Sequence, residues 1–289
     1  PWEVWPRTVI TPRAGYLQTW YTKNQQGQSD QRGLYEVGLN LSGPQYYRIW
    51  EKKTGSLQKI KHLIQPFIDY SYIPDEDQSD LLSFDMLDNI AGENILRYGL
   101  IQHFLGGFAQ AEEGEDVREI LLLTLSQEYD IAEARRTKDT NQKPHRPFSP
   151  LKLDAEIKPG QDLRLDWEIG YNFYEQKVES TNLDLWVSLS KKVSLTAGWR
   201  YTNIIKEEPE SDDQDINFLA AGTEISLTKS LGLGVSGKYN LKSEQWVEDK
   251  YSVNFVSQCW GIGLSYVDRF DEDEFNFELN LLGLSSVGI

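Results

Sequence analysis

Apolar and polar residues alternate one for one along much of the chain. Phe275-Asn276-Phe277-Glu278-Leu279-Asn280-Leu281 does so without a break, as do Leu151-Lys152-Leu153-Asp154-Ala155-Glu156-Ile157 and Leu163-Arg164-Leu165-Asp166-Trp167-Glu168-Ile169. Leu183-Asp184-Leu185-Trp186-Val187-Ser188-Leu189 keeps the rule with one lapse. Val193, Leu195, Ala197, Trp199 and Tyr201 continue it, separated by Ser194, Thr196, Gly198 and Arg200. A repeat of two sends neighbouring side chains to opposite faces, so each run predicts a strand with one apolar and one polar face. No segment sustains an i, i+3, i+4, i+7 stripe, so little helix is expected.

Such runs predict about fourteen strands of roughly ten residues, near the length that crosses a bilayer at a tilt. Their centres fall at Gly15, Leu41, Pro66, Leu100, Leu123, Leu153, Trp167, Leu185, Ala197, Thr223, Val235, Phe255, Leu264 and Leu279. Connections alternate in length. Lys23–Arg32, Asp75–Glu93, Ala132–Pro147 and Lys206–Asp215 are long; Lys158–Gln161, Lys191-Lys192, Thr228–Ser230 and the Gln258-Cys259-Trp260 corner are short and rich in turn-forming or charged residues. Glu51–Gln58 and Ala109–Asp116 belong to the short series but are moderate in length. Long loops at one end of a meander and short turns at the other are the pattern of an all-β, antiparallel, up-and-down transmembrane β-barrel of an outer membrane. A large soluble β-sandwich or solenoid also alternates along its strands, but its turns need not alternate in length.

Composition sharpens this. The mean hydropathy of -0.53 is that of a soluble protein, yet the chain holds 15 Tyr and 9 Trp. Both facts suit strands that are apolar only at alternate positions. Tyr16, Trp20 and Tyr21 gather near one strand end, Tyr70 and Tyr72 near a second, and Trp199 and Tyr201 near a third, where aromatic girdles of a membrane boundary would lie. No stretch approaches the roughly 18 apolar residues of a spanning helix. The net charge of -16 repels a nucleic-acid backbone, and Lys59-Ile60-Lys61 is too short to offset it. The chain starts at Pro1-Trp2-Glu3 without an initiator Met, which reads as a fragment or a processed product.

Chemistry-bearing motifs are few. Gly232-Leu233-Gly234-Val235-Ser236-Gly237 matches the dinucleotide fingerprint by letter, but Lys238-Tyr239-Asn240-Leu241 continues a strand where a helix N-terminus is required. Small residues in a barrel wall explain it better. Asp75-Glu76-Asp77, Glu207–Asp213 and Asp271-Glu272-Asp273-Glu274 are acidic clusters assigned to outside loops; the first lacks the glycine of a calcium loop. Solvated surface is the plain reading, with divalent ions bridging to anionic lipid as the alternative. His62, His103 and His145 show no zinc spacing, and no nucleophile elbow occurs. No enzyme, cofactor or metal centre is expected. Cys259 is the only cysteine: a packed thiol, half of a bond to another segment, or, least favoured with no adjacent cation, a nucleophile.

Two blocks carry a family resemblance. In Ile60–Phe104 these are His62, Pro66, Tyr70, Tyr72, Pro74, Asp77-Gln78-Ser79, Phe84-Asp85 and Tyr98-Gly99-Leu100, in that order. Near the end are Cys259-Trp260, then Phe277-Glu278-Leu279 and Gly283–Gly288. Together they resemble the C-terminal barrel domain of the LptD (OstA/Imp) lipopolysaccharide-assembly family, convincingly from about Ile60 and loosely before. The resemblance implies that residues 1–289 are the C-terminal part of an outer-membrane barrel whose jelly roll and first strands lie outside this chain. It further implies lipopolysaccharide as cargo, outer-membrane lipid as surroundings, an LptE-like plug lipoprotein, and an LptA-like periplasmic bridge reached through the N-terminal domain. The lateral seam would include the strand of Phe275, Phe277, Leu279 and Leu281. Arg164, Asp166, Glu168, Asp184 and Glu278 would face the lumen. Cys259 would sit at a periplasmic turn and bridge to the region near the jelly roll; Gln258 stands where the family usually has a second cysteine. A diffusion porin shares the alternation and is the alternative.

Overall fold

The computed structural model describes residues 2–5, 7–24, 26–81, 90–109, 115–137, 144–203, 216–269 and 271–281. They form sixteen strands and one short helix. The strands are β1 (Trp2–Trp5), β2 (Thr8–Tyr21), β3 (Asp30–Ser42), β4 (Tyr46–Thr54), β5 (Leu57–Ile73), β6 (Glu93–Ala109) and β7 (Glu115–Asp130), then α1 (Ile131–Arg135). There follow β8 (Leu151–Ile157), β9 (Leu163–Asn172), β10 (Lys177–Ser190), β11 (Val193–Thr202), β12 (Ile216–Ser226), β13 (Leu231–Asn240), β14 (Gln245–Val256), β15 (Trp260–Arg269) and β16 (Asp273–Leu281). All fourteen expected centres fall inside strands, and β1 and β4 are additional.

The sheet runs in sequence order from β1 to β16, with β4 off the path and paired to β5. Every strand pair with a resolved register is antiparallel. The fold is therefore an all-β up-and-down meander. The chain divides into two compact units: one of Pro1–Arg118, Leu123–Leu153 and Asn172–Gln176, the other of Glu119–Leu122, Asp154–Tyr171 and Lys177–Ile289.

Connection lengths are less regular than expected. The long loop after β5 and the α1-bearing segment after β7 are present, but Phe173–Gln176 and Leu241–Glu244 join strands by tight turns at the end assigned to long loops, and only three residues separate β15 from β16 there. Asn172 explains the first: its Oδ1 accepts from the N–H groups of Tyr174 and Glu175, and Asn240 does the same for Lys242 and Ser243. Of the three acidic clusters, Asp75–Asp77 lies in a loop, Asp273 and Glu274 open β16 rather than a loop, and Glu207–Asp213 lies outside the described residues. Phe84-Asp85 and Gly283–Gly288 lie outside them too.

In the first unit, the loop after β5 is fastened by Gln78. Its Oε1 accepts from Arg32 Nη1 at 2.7 Å, and its Nε2 donates to the Ile90 carbonyl at 2.7 Å. Asp77 accepts from the Ser79 N–H, which holds its carboxyl below the usual range and spends that group on a local turn. On α1, Arg136 and the Arg146 N–H bond Glu133 and push its carboxyl down to about 2.

Candidate functional site

The register of β10 to β16 shows what the alternation builds. Trp199, Leu219 and Tyr239 lie in one row across β11–β13, and Leu233, Val253, Leu264 and Phe277 in another across β13–β16. These rows share a face. The opposite face carries Thr196, Gly222, Ser236 and Lys250 in one row and Gly234, Ser252, Ser265 and Asn276 in the next. One set of strands therefore presents an apolar surface on one side and a hydrogen-bonding surface on the other.

Each face is hollowed. On the polar side a concavity of 330 Å³ is lined by Glu224, Ser236, Lys250, Ser252, Asn254, Asn276 and Glu278. Glycine makes that room. A methyl at Gly222 would stand 2.9 Å from Thr196 Oγ1, and one at Gly263 would stand 3.2 Å from Asn254 Oδ1. On the apolar side a shallow groove of 580 Å³ runs over Leu233, Val235, Tyr251, Val253, Leu264, Tyr266, Phe275 and Phe277. Tyr251, Tyr266 and Phe275 form a ladder there, with ring centroids 6.4 and 4.8 Å apart.

The five residues read as lumen-facing lie on the polar face of this unit. Asp184 is opposite Gly198 and Glu278 opposite Gly263, both in polar rows. Glu168 accepts from Asn182, the same-face neighbour of Asp184. Arg164 and Asp166, at the alternate positions before Glu168, bond each other at 2.7 Å. The cations are largely engaged: Arg200 holds Asp184 at 2.7 Å, and Arg269 bonds Glu248 at 3.0 Å and Glu274 at 2.7 Å. Trp186, the lapse in its run, sits in a polar row opposite Thr196. The sequence reading did not single out Lys250 or Asn254, whose spacing matches the other polar positions.

Phe275, Phe277, Leu279 and Leu281 lie on the apolar face of β16, the last strand of the order. Phe275 is 81% exposed. Cys259 lies in the Ser257–Cys259 turn between β14 and β15 and is exposed, so the packed-thiol reading is corrected. The turn is closed by the Ser257 N–H donating to the Trp260 carbonyl. The aromatic grouping needs one correction as well. Tyr16 and Trp20 are widely exposed, but Tyr21 points to the other face, is buried, and lies against Arg32. His62 has a packing role, stacked between Trp50 and Phe104 with the Phe104 centroid 4.0 Å away.

Burial decides between a soluble and a membrane sheet. Only Tyr21, Leu34 and Val267 are buried apolar residues among the described ones, while large apolar side chains along nearly every strand stay open. A soluble sandwich closes such faces over each other; a bilayer replaces that second layer. Among the described residues no helix is long and apolar enough to cross a membrane. These features define a β-barrel-class protein of an outer membrane.

The chain belongs to the LptD family, LPS transport system D, whose model matches residues 6–231. It is 22% identical over 232 residues to the LPS-assembly protein LptD of Burkholderia pseudomallei strain 1710b, covering 74% of this chain and 28% of that protein. It is also 22% identical over 226 residues to the LptD of Burkholderia thailandensis, covering 72% of this chain and 27% of that one. The chain thus spans little more than a quarter of the length of these relatives. Among solved structures it is similar to a triple-mutant porin of Rhodopseudomonas blastica, at a TM-score of 0.37 and 7% identity over 94% of this chain and 98% of the porin. The copper transporter OprC is another, at a TM-score of 0.35 and 12% identity over 90% of this chain and 48% of that one.

Proposed function

We propose that this chain is the C-terminal part of an LptD-type outer-membrane barrel and that lipopolysaccharide moves along its polar face toward the outer leaflet. The observation that carries the reading is the two-faced sheet of β10–β16 in a chain of this family. Its apolar rows suit acyl chains, and its polar rows suit sugars. No covalent step is involved.

The polar wall suits the exchange of sugar contacts along its length. Arg164, Arg200 and Arg269 are paired with carboxylates, so the wall offers hydroxyls, amides and neutralised ion pairs rather than a row of open cations. Such groups exchange hydrogen bonds with sugar hydroxyls at little net gain, because each bond made replaces one to water. On this reading Arg164, Asp166, Glu168, Asp184 and Glu278 face the lumen. β16, with Phe275, Phe277, Leu279 and Leu281 toward lipid, is one side of a lateral seam. The N-terminal domain would meet an LptA-like bridge, an LptE-like lipoprotein would plug the barrel, and exposed Cys259 would bridge to a cysteine beyond this chain.

The test uses the full-length protein purified in detergent. Co-purification of lipopolysaccharide, with little passive solute conductance in planar bilayers, is the expected result. Free solute conductance with no retained lipopolysaccharide would assign the chain to diffusion porins instead.

A further inference from the structure

The first unit carries a surface that neither the cargo nor the membrane reading uses. β4 pairs with β5 and with no other described strand. β3 lies along β5 from Phe67 to Tyr72 and β4 from Leu57 to Ile64, so the two form one line interrupted at residues 43–45. β2 covers the far edge of β3, but its register ends with Val9 opposite Ser42. Beyond that point the far edge of β4 has no strand beside it among the described residues. In an antiparallel strand alternate residues turn both N–H and C=O away from the paired neighbour, so about four residues of β4 offer a donor and an acceptor there.

Its side chains are as open as its backbone. Tyr46, Tyr47, Ile49 and Trp50 are 38% to 64% exposed, and Gln45, Arg48 and Glu51 are exposed among them. Consecutive residues point to opposite faces, so neither face of β4 is covered. In β5, by contrast, Ile68 alone is exposed and every other residue is half-buried. Lipid would take up one apolar face but could not hydrogen-bond the open edge.

Charge narrows the occupant. The hairpin from Tyr46 to Ile64 contains Arg48, Lys52, Lys53, Lys59 and Lys61 against Glu51 alone, in a chain of net charge -16. Among the described residues neither Arg48 nor Lys61 is ion-paired; Arg48 lies 5.6 Å from the Trp50 ring and Lys61 4.8 Å from the Tyr47 ring.

We propose that β4 is the docking strand for an acidic, extended segment of a partner protein, which adds beside it as a further strand. Backbone bonds along the edge supply affinity, and the cations with their aromatic neighbours select an acidic sequence. This inference does not depend on lipopolysaccharide transport.

The test measures binding of labelled synthetic peptides to the full-length protein in detergent, by fluorescence anisotropy. The first probe is a short alternating valine-threonine peptide bearing glutamates. The second carries lysines in their place, and the third is the glutamate peptide N-methylated at alternate residues. The glutamate peptide is expected to bind at least about tenfold more tightly than the lysine peptide. N-methylation should abolish binding, and the double variant Arg48→Glu with Lys61→Glu should reverse the order of the two charged peptides. No binding, equal binding of both charges, or full binding of the N-methylated peptide would overturn the proposal. Displacement of the bound peptide by phosphatidylglycerol vesicles would overturn it too, by assigning the hairpin to a membrane surface.

Discussion

The sheets of β5–β6 and of β10–β16 obey different rules although both are antiparallel. In β10–β16 one face is polar and paved with small residues such as Gly222, Gly234, Ser252 and Ser265. In β5–β6 the face that carries Asp69 and Arg97 also holds Leu63, Phe67, Ile101 and Leu105, while Ile64, Ile68, Leu96 and Leu100 occupy the other. Both faces of β5–β6 thus carry bulky apolar residues, mostly half-buried, whereas one face of β10–β16 is paved with glycine and serine beside its charged residues. The difference is one of side-chain bulk: β5–β6 has no face of small residues, and β10–β16 has one, hollowed where its glycines lie.

The largest break in that comparison should come from a misplaced charge. Arg at Leu165, on the face of β9 opposite Asp166, should cost roughly 2–4 kcal/mol near the bilayer midplane, and Arg at Asp166 close to nothing. Urea unfolding from detergent or lipid vesicles measures both, and equal costs would refute the two-faced assignment.

Packing in β5–β6 gives the next effect. Gly99 lies under the Phe67 ring, and a methyl there would stand 2.8 Å from Phe67 Cε1 and closer still to the Leu125 carbonyl. Gly99→Ala should therefore destabilise by roughly 1–3 kcal/mol. The same change at Gly232, where the nearest atoms are 3.9 and 4.0 Å away, should be nearly silent in the same unfolding assay.

Loop fastening should matter less to the barrel and more to its rim. Gln78→Ala removes both the Arg32 and the Ile90 bonds, and should cost about 1–3 kcal/mol locally. The expected outcome is faster proteolysis around Gln78 with unfolding of the strands unchanged. An unaltered cleavage rate would mean the loop is held elsewhere.

The smallest effect is a pH dependence at α1. Glu133 has its carboxyl lowered from 4.5 to about 2, so the bonds to Arg136 and Arg146 contribute fully above pH 4.5 and are lost as pH falls toward 2. Hydrogen exchange in residues 131–137 should accelerate across that window relative to intrinsic rates, and Glu133→Gln should flatten the response. A window lying above pH 4.5 would contradict the assignment.

The contrast also explains what could be read from the sequence. Period two locates strands that face two different media, which is why the five polar-face residues share one face and all fourteen centres fall in strands. β4 escaped because Tyr46-Tyr47-Arg48-Ile49-Trp50 does not alternate; its second half was read as part of a turn at Glu51–Gln58. A strand open on both faces leaves no periodic trace. The tight turns at Asn172 and Asn240 were missed because the side chain that closes each belongs to the strand before it. Gln78 was visible as a motif residue, but its partners, Arg32 and Ile90, are 46 and 12 residues away.

The most direct test places a photo-crosslinking amino acid at Glu278 or at Leu279 in the full-length protein, in cells making lipopolysaccharide. These neighbours share a strand and differ only in the face they present. The account predicts lipopolysaccharide adducts that retain sugar contacts from position 278 and depend on active transport, with position 279 labelling membrane lipid whether or not transport runs. Identical products from the two positions, or none containing lipopolysaccharide at 278, would contradict it.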